Sequence, residues 1–489
     1  MGTLTGSVAD VPVHGPGTAP RGVWMPLFTL DEVLEITGAR LLAGDASRSA
    51  RGGFRRISTD SRDIRRGDLF VALVGDRFDG KQFVQAALDA GAAGALVQAG
   101  SWPAASGRPV LGAPDSLLAL QQLAAHHRSR FEIPVVAVTG SNGKTTTKEM
   151  VACVLAQRGP VLKTEGNLNN RIGVPLTLLR LAARQTAAVI EMGVDHRGQT
   201  TRLCEIAHPT VGLITNIGPD HLEFFGSVDV SAQAKGELLD CLPADGAVAL
   251  NADDAYFDYL ASRAQCRVVS FGLSPRAQVR AVELTPEPGR GTEFRLVLPG
   301  RNRPQRVLLP SYGVHNVSNA LAAAAVGHAL GLSGAAIARG LERFKPAVMR
   351  SDIRHWKGLT VIDDAYNANP ASMEAAITLL AELAGRNRSI AVLGDMLELG
   401  PESPDWHRRL GQHVAEQRIS RLIVCGELGR AIAEGARQGG MAPDRIQEAA
   451  DSADAGRLLR ELAAPPDAVL VKGSRGMAME RALGALTKA

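Results

Sequence analysis

The stretch "VVAVTGSNGKTTTKEM", residues 135–150, restricts the fold of this chain more than any other. An apolar run rich in valine leads into a glycine-containing turn. A segment with helical periodicity follows, in which Met150, Val151, Val154 and Leu155 share one face before Gly159 and Pro160 stop it. Strand, tight turn and helix in this order aim the backbone N–H groups of residues 140–145 out of a positive helix end, which is a cradle for phosphate oxygens. The turn departs from the common phosphate loop G-x-x-x-x-G-K-[ST]. That pattern needs a glycine five positions before Gly143, where Val138 stands, and the first glycine is Gly140 instead. Gly140, Ser141, Asn142, Gly143, Lys144, Thr145 and Thr146 are the candidate nucleotide-binding residues. Lys144 is expected to offset charge on the β- and γ-phosphates, and the Thr145 hydroxyl to face Mg2+.

The same rhythm continues down the chain. "AAVIEMG" and "VGLITNIG" are further short apolar runs ending in polar residues or glycine, as strands do when a parallel sheet buries both their faces. After Arg350 it restarts in "LTVIDDAYNA", "SIAVLGDM", "RLIVCGE" and "AVLVKGSRG", which implies a second doubly wound sheet. Before the phosphate loop, "TLDEVLEITGA" reads as a helix capped by Thr29 with Glu32 as its capping-box partner. "GFRRISTDSRDIRRGDLFVAL" and "GAAGALVQ" add short strands around a helix, and "HHRSRFEIP" reads as a linker. At 489 residues the chain exceeds one ordinary core. The expected fold class is α/β in three domains behind a disordered tail at 1–24: a small α/β domain at 25–128, a central phosphate-loop domain with a parallel sheet at 129–349, and a Rossmann-like domain at 350–489.

Composition excludes several function classes. The 54 basic and 50 acidic residues leave a net charge of +4, which is no electrostatic footprint for nucleic acid. Cys153, Cys204, Cys241, Cys266 and Cys425 show no C-x-x-C spacing, so neither a zinc site nor a disulfide framework is indicated, and reduced thiols in a cytoplasmic protein are expected. No run approaches the ~18–20 apolar residues of a membrane span. "NALAAAAVGHALGLSGAAIA", from Asn319, is mostly alanine and glycine and reads as a buried helix and its successor. The first 24 residues lack the basic and apolar regions of a secretory signal, and Met25 is an alternative start. Nothing resembles a coiled-coil heptad, so a monomer is expected.

A cation that bridges phosphates needs oxygen ligands near the same strand ends. Glu191 closes "AAVIEMG", and His221 follows "LITNIGPDH" at the corresponding end of the next strand. Singly, a glutamate after a strand is an ordinary turn residue and a histidine is seldom a ligand. Sharing a sheet edge with Thr145 makes them a candidate metal constellation.

"TGSNGKTTTKEM", "TEGNLNNRIGVPLTLL", "EMGVDHRGQ", "TNIGPDHLEFFGS" and "AKGELLD", with "GVHNVSNALAAAA", "DDAYNANPASM", "LGDMLELG" and "VKGSRGMAME", together resemble the Mur ligase family over about residues 25–489. The resemblance implies three domains: one binding UDP, a central ATPase domain and a Rossmann-like domain. It also implies an ATP-dependent amide ligase. ATP would phosphorylate the terminal carboxylate of UDP-N-acetylmuramoyl-tripeptide, and the amine of D-alanyl-D-alanine would attack the acyl phosphate. By resemblance, Lys144, Glu191, His221 and Lys235 are catalytic, Thr145 and Glu191 hold one Mg2+, and His221 with Lys235 serves a second. The lysine in the family position of Lys235 carries a carbamate; taken by itself, Lys235 in "SAQAKGELLDCL" reads as a plain surface lysine.

The resemblance also places Asn316, Asn319, Arg350 and Asp364 around adenine and ribose, with Met349 where the family usually has glycine. Ser61 and Arg62 of "STDSR" would contact UDP, beside "GDRFDGKQF" with Lys81 where members often have histidine. Thr164, Asn169 and Asn170 would face the sugar and pyrophosphate, and Asn367, Asp395, His407, Lys472 and Arg475 the D-alanyl-D-alanine site. An Asp or Asn at a strand end can equally cap the next helix. Three rivals stay open: the ligase adding the third peptide residue, a folylpolyglutamate synthetase, and a nucleotide-switched binding module. "DDAYNANPASM" and "LGDMLELG" argue against the first two, and the second polar-ended sheet against the last. The tripeptide's third residue, diaminopimelate or lysine, is left open.

Overall fold

The computed structural model describes residues 26–44, 53–75, 78–100, 107–301 and 303–487. The expected tail at 1–24 and the alternative start at Met25 lie outside the described residues. The chain divides into two compact units, 1–119 and 120–489.

In the first unit the helix Leu30–Thr37 begins at a capping box. The Glu32 N–H donates to the Thr29 hydroxyl at 3.1 Å, and the Glu32 carboxylate accepts the Thr29 N–H at 2.7 Å. A five-stranded sheet runs in the order Arg40–Ala43, Val110–Ala113, Gly94–Gln98, Asp68–Val71, Arg56–Ser58. Only the first pair is antiparallel.

The second unit contains two sheets. In the larger one, Val135–Thr139 lies between Ala187–Glu191 and Val211–Ile214, parallel to both, so the residues that follow these strands share one edge. Val161–Lys163 extends the sheet on one side, and Ala247–Asn251, Arg267–Gly272 and Val279–Glu287 on the other, all parallel. Gly291–Val297 and Gln305–Leu309 finish it as an antiparallel meander. The alanine-rich segment forms the helix Val314–Ala329, buried from Ala320 to Val326, followed by Gly334–Glu342. Small residues let these helices approach the helix Lys144–Leu155: a Cβ on Gly340 would stand 2.5 Å from Val154 Cα. That helix closes at Ala156, whose N–H bonds to Ala152 O, so it ends ahead of Gly159 and Pro160.

The other sheet runs Asp352–Trp356, Leu359–Asp364, Ala468–Lys472, Ser389–Leu393, Arg421–Cys425, Ile446–Ala449. Only its first pair is antiparallel. All four apolar runs expected after Arg350 are strands of it. On one of its faces the helices Ser403–Glu416 and Gly429–Gln438 cross at glycines, where a Cβ on Gly411 or Gly435 would collide with the backbone carbonyl of Ile432 or Arg408. Backbone cannot yield as a side chain does. Gly411→Ala is expected to cost about 2–3 kcal/mol by forcing these helices apart. Thermal unfolding followed by circular dichroism checks this, and a midpoint equal to that of the unsubstituted protein refutes it.

Candidate active site

The phosphate-type turn is held from below by side chains. Gly140 and Gly143 have φ of 136° and 75°, conformations that favour glycine. A Cβ on Gly140 would meet the Thr215 hydroxyl, and one on Gly143 the Asn319 amide. The Ser141 N–H donates to Asn216 O at 2.9 Å, the Asn142 N–H to Asn216 Oδ1 at 3.0 Å, and the Thr215 hydroxyl to Asn142 O at 2.6 Å. Asn319 accepts from Thr147 at 3.1 Å and donates to Asn316 at 3.2 Å, and Asn316 donates to Tyr312 O at 2.9 Å. The two asparagines expected at the adenine thus brace the loop from beneath. Thr146 is half-buried. Lys144 curls back, its Nζ donating to Gly140 O at 2.6 Å and Ser141 O at 3.1 Å.

Thr145 and Glu191 meet as expected. The Thr145 hydroxyl donates to Glu191 Oε1 at 3.1 Å, and Asn169 Nδ2 donates to the same oxygen at 2.9 Å. Thr164 is buried, its hydroxyl accepting the Glu191 N–H at 3.0 Å, so it supports the strand end rather than reaching a ligand. Asn170 gives its side-chain oxygen to the N–H groups of Ile172 and Gly173, at the start of the helix Gly173–Leu178. Glu191 Oε2 is buried yet accepts no hydrogen bond. A hydroxyl beside a carboxylate with an open oxygen suits a hard cation. Among the described residues no three His, Cys, Asp or Glu side chains gather closely enough to hold a metal ion. A cation here would therefore complete its shell with water and the oxygens of a bound molecule.

Lys235 is not the surface lysine that its helix suggests. It is 1% exposed, and its Nζ donates to Asp220 Oδ1 at 2.9 Å and to the Ser231 hydroxyl. Burial pushes its pKa down to about 8 against the opposing pull of Asp220. Burial also acts to raise Asp220, but the ammonium groups of Lys235 and Lys144 outweigh it and keep that carboxyl below its usual range. Asp220 also accepts from the Ser141 hydroxyl at 2.7 Å, which ties the phosphate-type turn to Lys235. Asp220 Oδ2 is a second buried oxygen with no hydrogen-bond partner. Sequence reasoning passed over Asp220, although it stands directly before His221 in a quoted motif.

His221 has φ of 50°, and its Nδ1 lies 2.6 Å from Glu398 Oε2, across from the other sheet. Glu398 O also accepts the Glu223 N–H at 3.1 Å. A carboxylate on Nδ1 orients the ring and leaves Nε2 as the lone-pair nitrogen, the arrangement of many ligating histidines.

Around the second sheet, Lys472 is 3% exposed and donates to Asp364 Oδ2 at 2.6 Å and Asn367 O at 2.9 Å. Asp364 Oδ1 accepts the Ser351 N–H at 2.8 Å. The Arg350 guanidinium lies 3.9 Å from the centre of the Tyr366 ring. Met349 occupies φ of 63°, a conformation that glycine would adopt without strain. Asn367 Oδ1 accepts the Arg475 N–H at 3.4 Å, and the Arg475 guanidinium pairs with Glu480 at 2.9 Å.

Asp395 and His407 are structural in this arrangement. The Asp395 carboxylate accepts the Leu428 N–H at 3.2 Å, and burial raises its pKa. His407 is fully buried: Nε2 accepts the Met396 N–H at 2.9 Å, Nδ1 donates to Ser403 O at 2.6 Å, and burial lowers its pKa. Neither ring nitrogen remains for a substrate, which corrects its expected contact role.

A cavity of about 210 Å³ collects Ser141, Lys144, Asp220 and His221 on one side and Asn367, Glu398, Ser474 and Arg475 on the other. The first unit, described apart, carries the other two expected residues. Ser61 opens the short 3₁₀ turn Ser61–Asp63, and the exposed Arg62 makes a two-point contact with Asp60 at 2.9 and 2.8 Å.

Comparisons with known proteins agree with this anatomy. Residues 54–128 match the Mur ligase family catalytic domain, 138–327 the Mur ligase middle domain, and 349–475 the Mur ligase glutamate ligase domain. The chain is 38% identical over 465 residues to the UDP-N-acetylmuramoyl-tripeptide--D-alanyl-D-alanine ligase of Escherichia coli (strain K12), covering 94% of this chain and 98% of that protein. A crystal structure of MurF from Acinetobacter baumannii superposes with a TM-score of 0.84 at 34% identity, covering 94% of this chain and 98% of that one. One of MurF ligase from Thermotoga maritima in complex with ADP gives 0.79 at 28% identity, covering 88% and 96%. Similarity that spans nearly the full length of both proteins, with three matched segments in order along one chain, shows that this protein belongs to the Mur ligase family.

Proposed function

We propose that this chain joins D-alanyl-D-alanine to UDP-N-acetylmuramoyl-tripeptide at the expense of ATP, giving the pentapeptide precursor of peptidoglycan, ADP and phosphate. Relatives similar over their whole length carry that activity in their names, and the Thermotoga maritima protein binds ADP. The observation that carries the reading is the cavity, in which the phosphate-type turn faces the loops of the second sheet. A phosphoryl group donated from one wall and an amine presented from the other would meet there.

A carboxylate resists attack by an amine because its own oxygen is a poor leaving group. Transfer of the γ-phosphoryl to that oxygen gives an acyl phosphate, and attack by the amine then expels phosphate and forms the amide. Of the backbone N–H groups of residues 140–145, those of Ser141 and Asn142 are engaged by Asn216 and the others would bind the phosphates, while Lys144 would exchange its carbonyl partners for their oxygens. Thr145 and Glu191 would hold Mg2+, and His221 with Lys235 a second ion; when bound, these ions offset charge on the transferring phosphoryl.

Lys235 would act as its carbamate, formed when the neutral amine adds CO2 and releases a proton. Its depressed pKa makes the neutral amine accessible, and a carbamate beside Asp220 makes a doubly anionic pocket that favours a cation. Asn316 and Asn319, through the turn they brace, with Arg350 and Asp364, would position the nucleoside. Asn169 and Asn170 would face the sugar and pyrophosphate. Asn367, Lys472 and Arg475 would hold the dipeptide side, with Asp395 and His407 shaping its loops. Ser61 and Arg62, in the domain proposed at 25–128, would contact UDP, and 129–349 and 350–489 would form the central and closing domains. The reaction would take place in the cytoplasm.

Phosphate release from ATP should be fast only when UDP-N-acetylmuramoyl-tripeptide and D-alanyl-D-alanine are both present; equal release with neither would sink the ligase reading. Lys144→Ala should lower kcat by about 10²–10³ with an unchanged circular dichroism spectrum, and near-normal turnover would show the phosphate cradle to be misassigned. Labelled bicarbonate should give a carbamate carbon signal by NMR that Lys235→Met removes. The same signal in both proteins would refute the modification.

A further inference from the structure

Two lysines are buried beside the phosphate-type turn, and the roles above use only Lys235. Lys148 lies one helical turn beyond Thr145 and is 1% exposed. Its Nζ stands 3.2 Å from Glu149 Oε1 and 3.6 Å from Glu191 Oε2, the buried oxygen that accepts no hydrogen bond. Glu149 in turn pairs with Lys163, on the strand next to Ala187–Glu191. An alternating series, Lys163, Glu149, Lys148, Glu191, therefore runs inward from the surface and ends at the Thr145 hydroxyl. Thr145 and Asn169 grip one oxygen of Glu191 by hydrogen bonds, and Lys148 faces the other as a charge.

Stability alone is a poor reason for this arrangement. Desolvating an ammonium and a carboxylate costs several kcal/mol, and apolar replacements of buried pairs are often neutral or better. The pair has a clearer electrostatic consequence. Glu191 is the carboxylate offered to a cation, but Lys148 already offsets it. With no three-donor cluster among the described residues, Thr145 and Glu191 by themselves have little to attract a divalent ion. A triphosphate would reverse that balance.

We propose that Lys148 is a positioning residue that orients Glu191 toward Thr145 and offsets its charge, so that a divalent cation enters this site together with the nucleotide and not alone. The inference rests on the reading of Thr145 and Glu191 as a cation site. It is tested on the full chain by electron paramagnetic resonance of free Mn2+, titrated with and without ADP.

Beyond any Mn2+ held by His221 and Lys235, the unsubstituted protein should take up a further ion with ADP and not without it. Lys148→Met should bind Mn2+ without nucleotide at least about tenfold more tightly than the unsubstituted protein, while Lys148→Arg, which keeps the charge, should not. Circular dichroism verifies the fold, and Lys148→Gln is read in the same way if the methionine variant does not fold. Mn2+ uptake by the unsubstituted protein that is equally tight without ADP would overturn the proposal, as would an unchanged affinity in both charge-removing variants. Glu191→Gln separates the two levels: uptake with ADP equal to that of the unsubstituted protein would remove the cation site itself, whatever Lys148 does.

Discussion

A parallel sheet sends the carboxyl ends of its strands to one edge, and this geometry organises the candidate site. The strands Val135–Thr139, Ala187–Glu191 and Val211–Ile214 are neighbours, so residues 140–145, Glu191 and the segment through Asp220 and His221 emerge side by side although they are distant in the chain. The turn after the first strand is tight enough that two of its positions admit only glycine, with Thr215 and Asn319 filling the space a Cβ would need. Asn216 holds the N–H groups of Ser141 and Asn142, and Thr215 holds the carbonyl of Asn142, which fixes the path of the turn. A turn fixed in this way needs little rearrangement when a ligand binds.

Charge around this edge is arranged in buried pairs, Lys235 with Asp220 and Lys148 with Glu191. In each pair one carboxylate oxygen accepts no hydrogen bond. Full mutual satisfaction would make these pairs inert, whereas an open oxygen leaves each pair able to accept a cation once the charge balance around it changes. Ser141 couples the two regions, since its backbone belongs to the turn and its hydroxyl donates to Asp220.

The second sheet completes the site by the same logic. Its strand ends carry Asp364, Asp395 and Lys472, and the loops that follow supply Asn367 and Arg475. Not all of these polar groups face the cavity. Asp395 and His407 spend their hydrogen-bonding capacity on backbone N–H and carbonyl groups of neighbouring loops, as buried polar groups must. The two-sided cavity depends on loops held in place by such internal bonds.

Local features in the sequence were readable because they depend on few residues. The capping box at Thr29 and Glu32, the glycines of the turn, the apolar strands with polar ends and the buried alanine helix all follow from backbone sterics and periodicity. The family likeness supplied most of the site residues, and Thr145 with Glu191 could be paired from their places at strand ends. Burial and partnership were not readable, because they depend on what packs against a residue from far along the chain. Lys235 reads as a surface lysine in its own helix and becomes buried only when Asp220 and the Phe225 ring pack against it. His407 looks like a substrate ligand until Met396 and Ser403 take both of its nitrogens, and Lys148 stands out only once strand pairing sets Glu191 beside it. The sequence by itself determined the elements and the edge on which the polar residues gather; the tertiary structure decided which of them touch, because desolvation and hydrogen-bond geometry are set by neighbours that no local stretch contains.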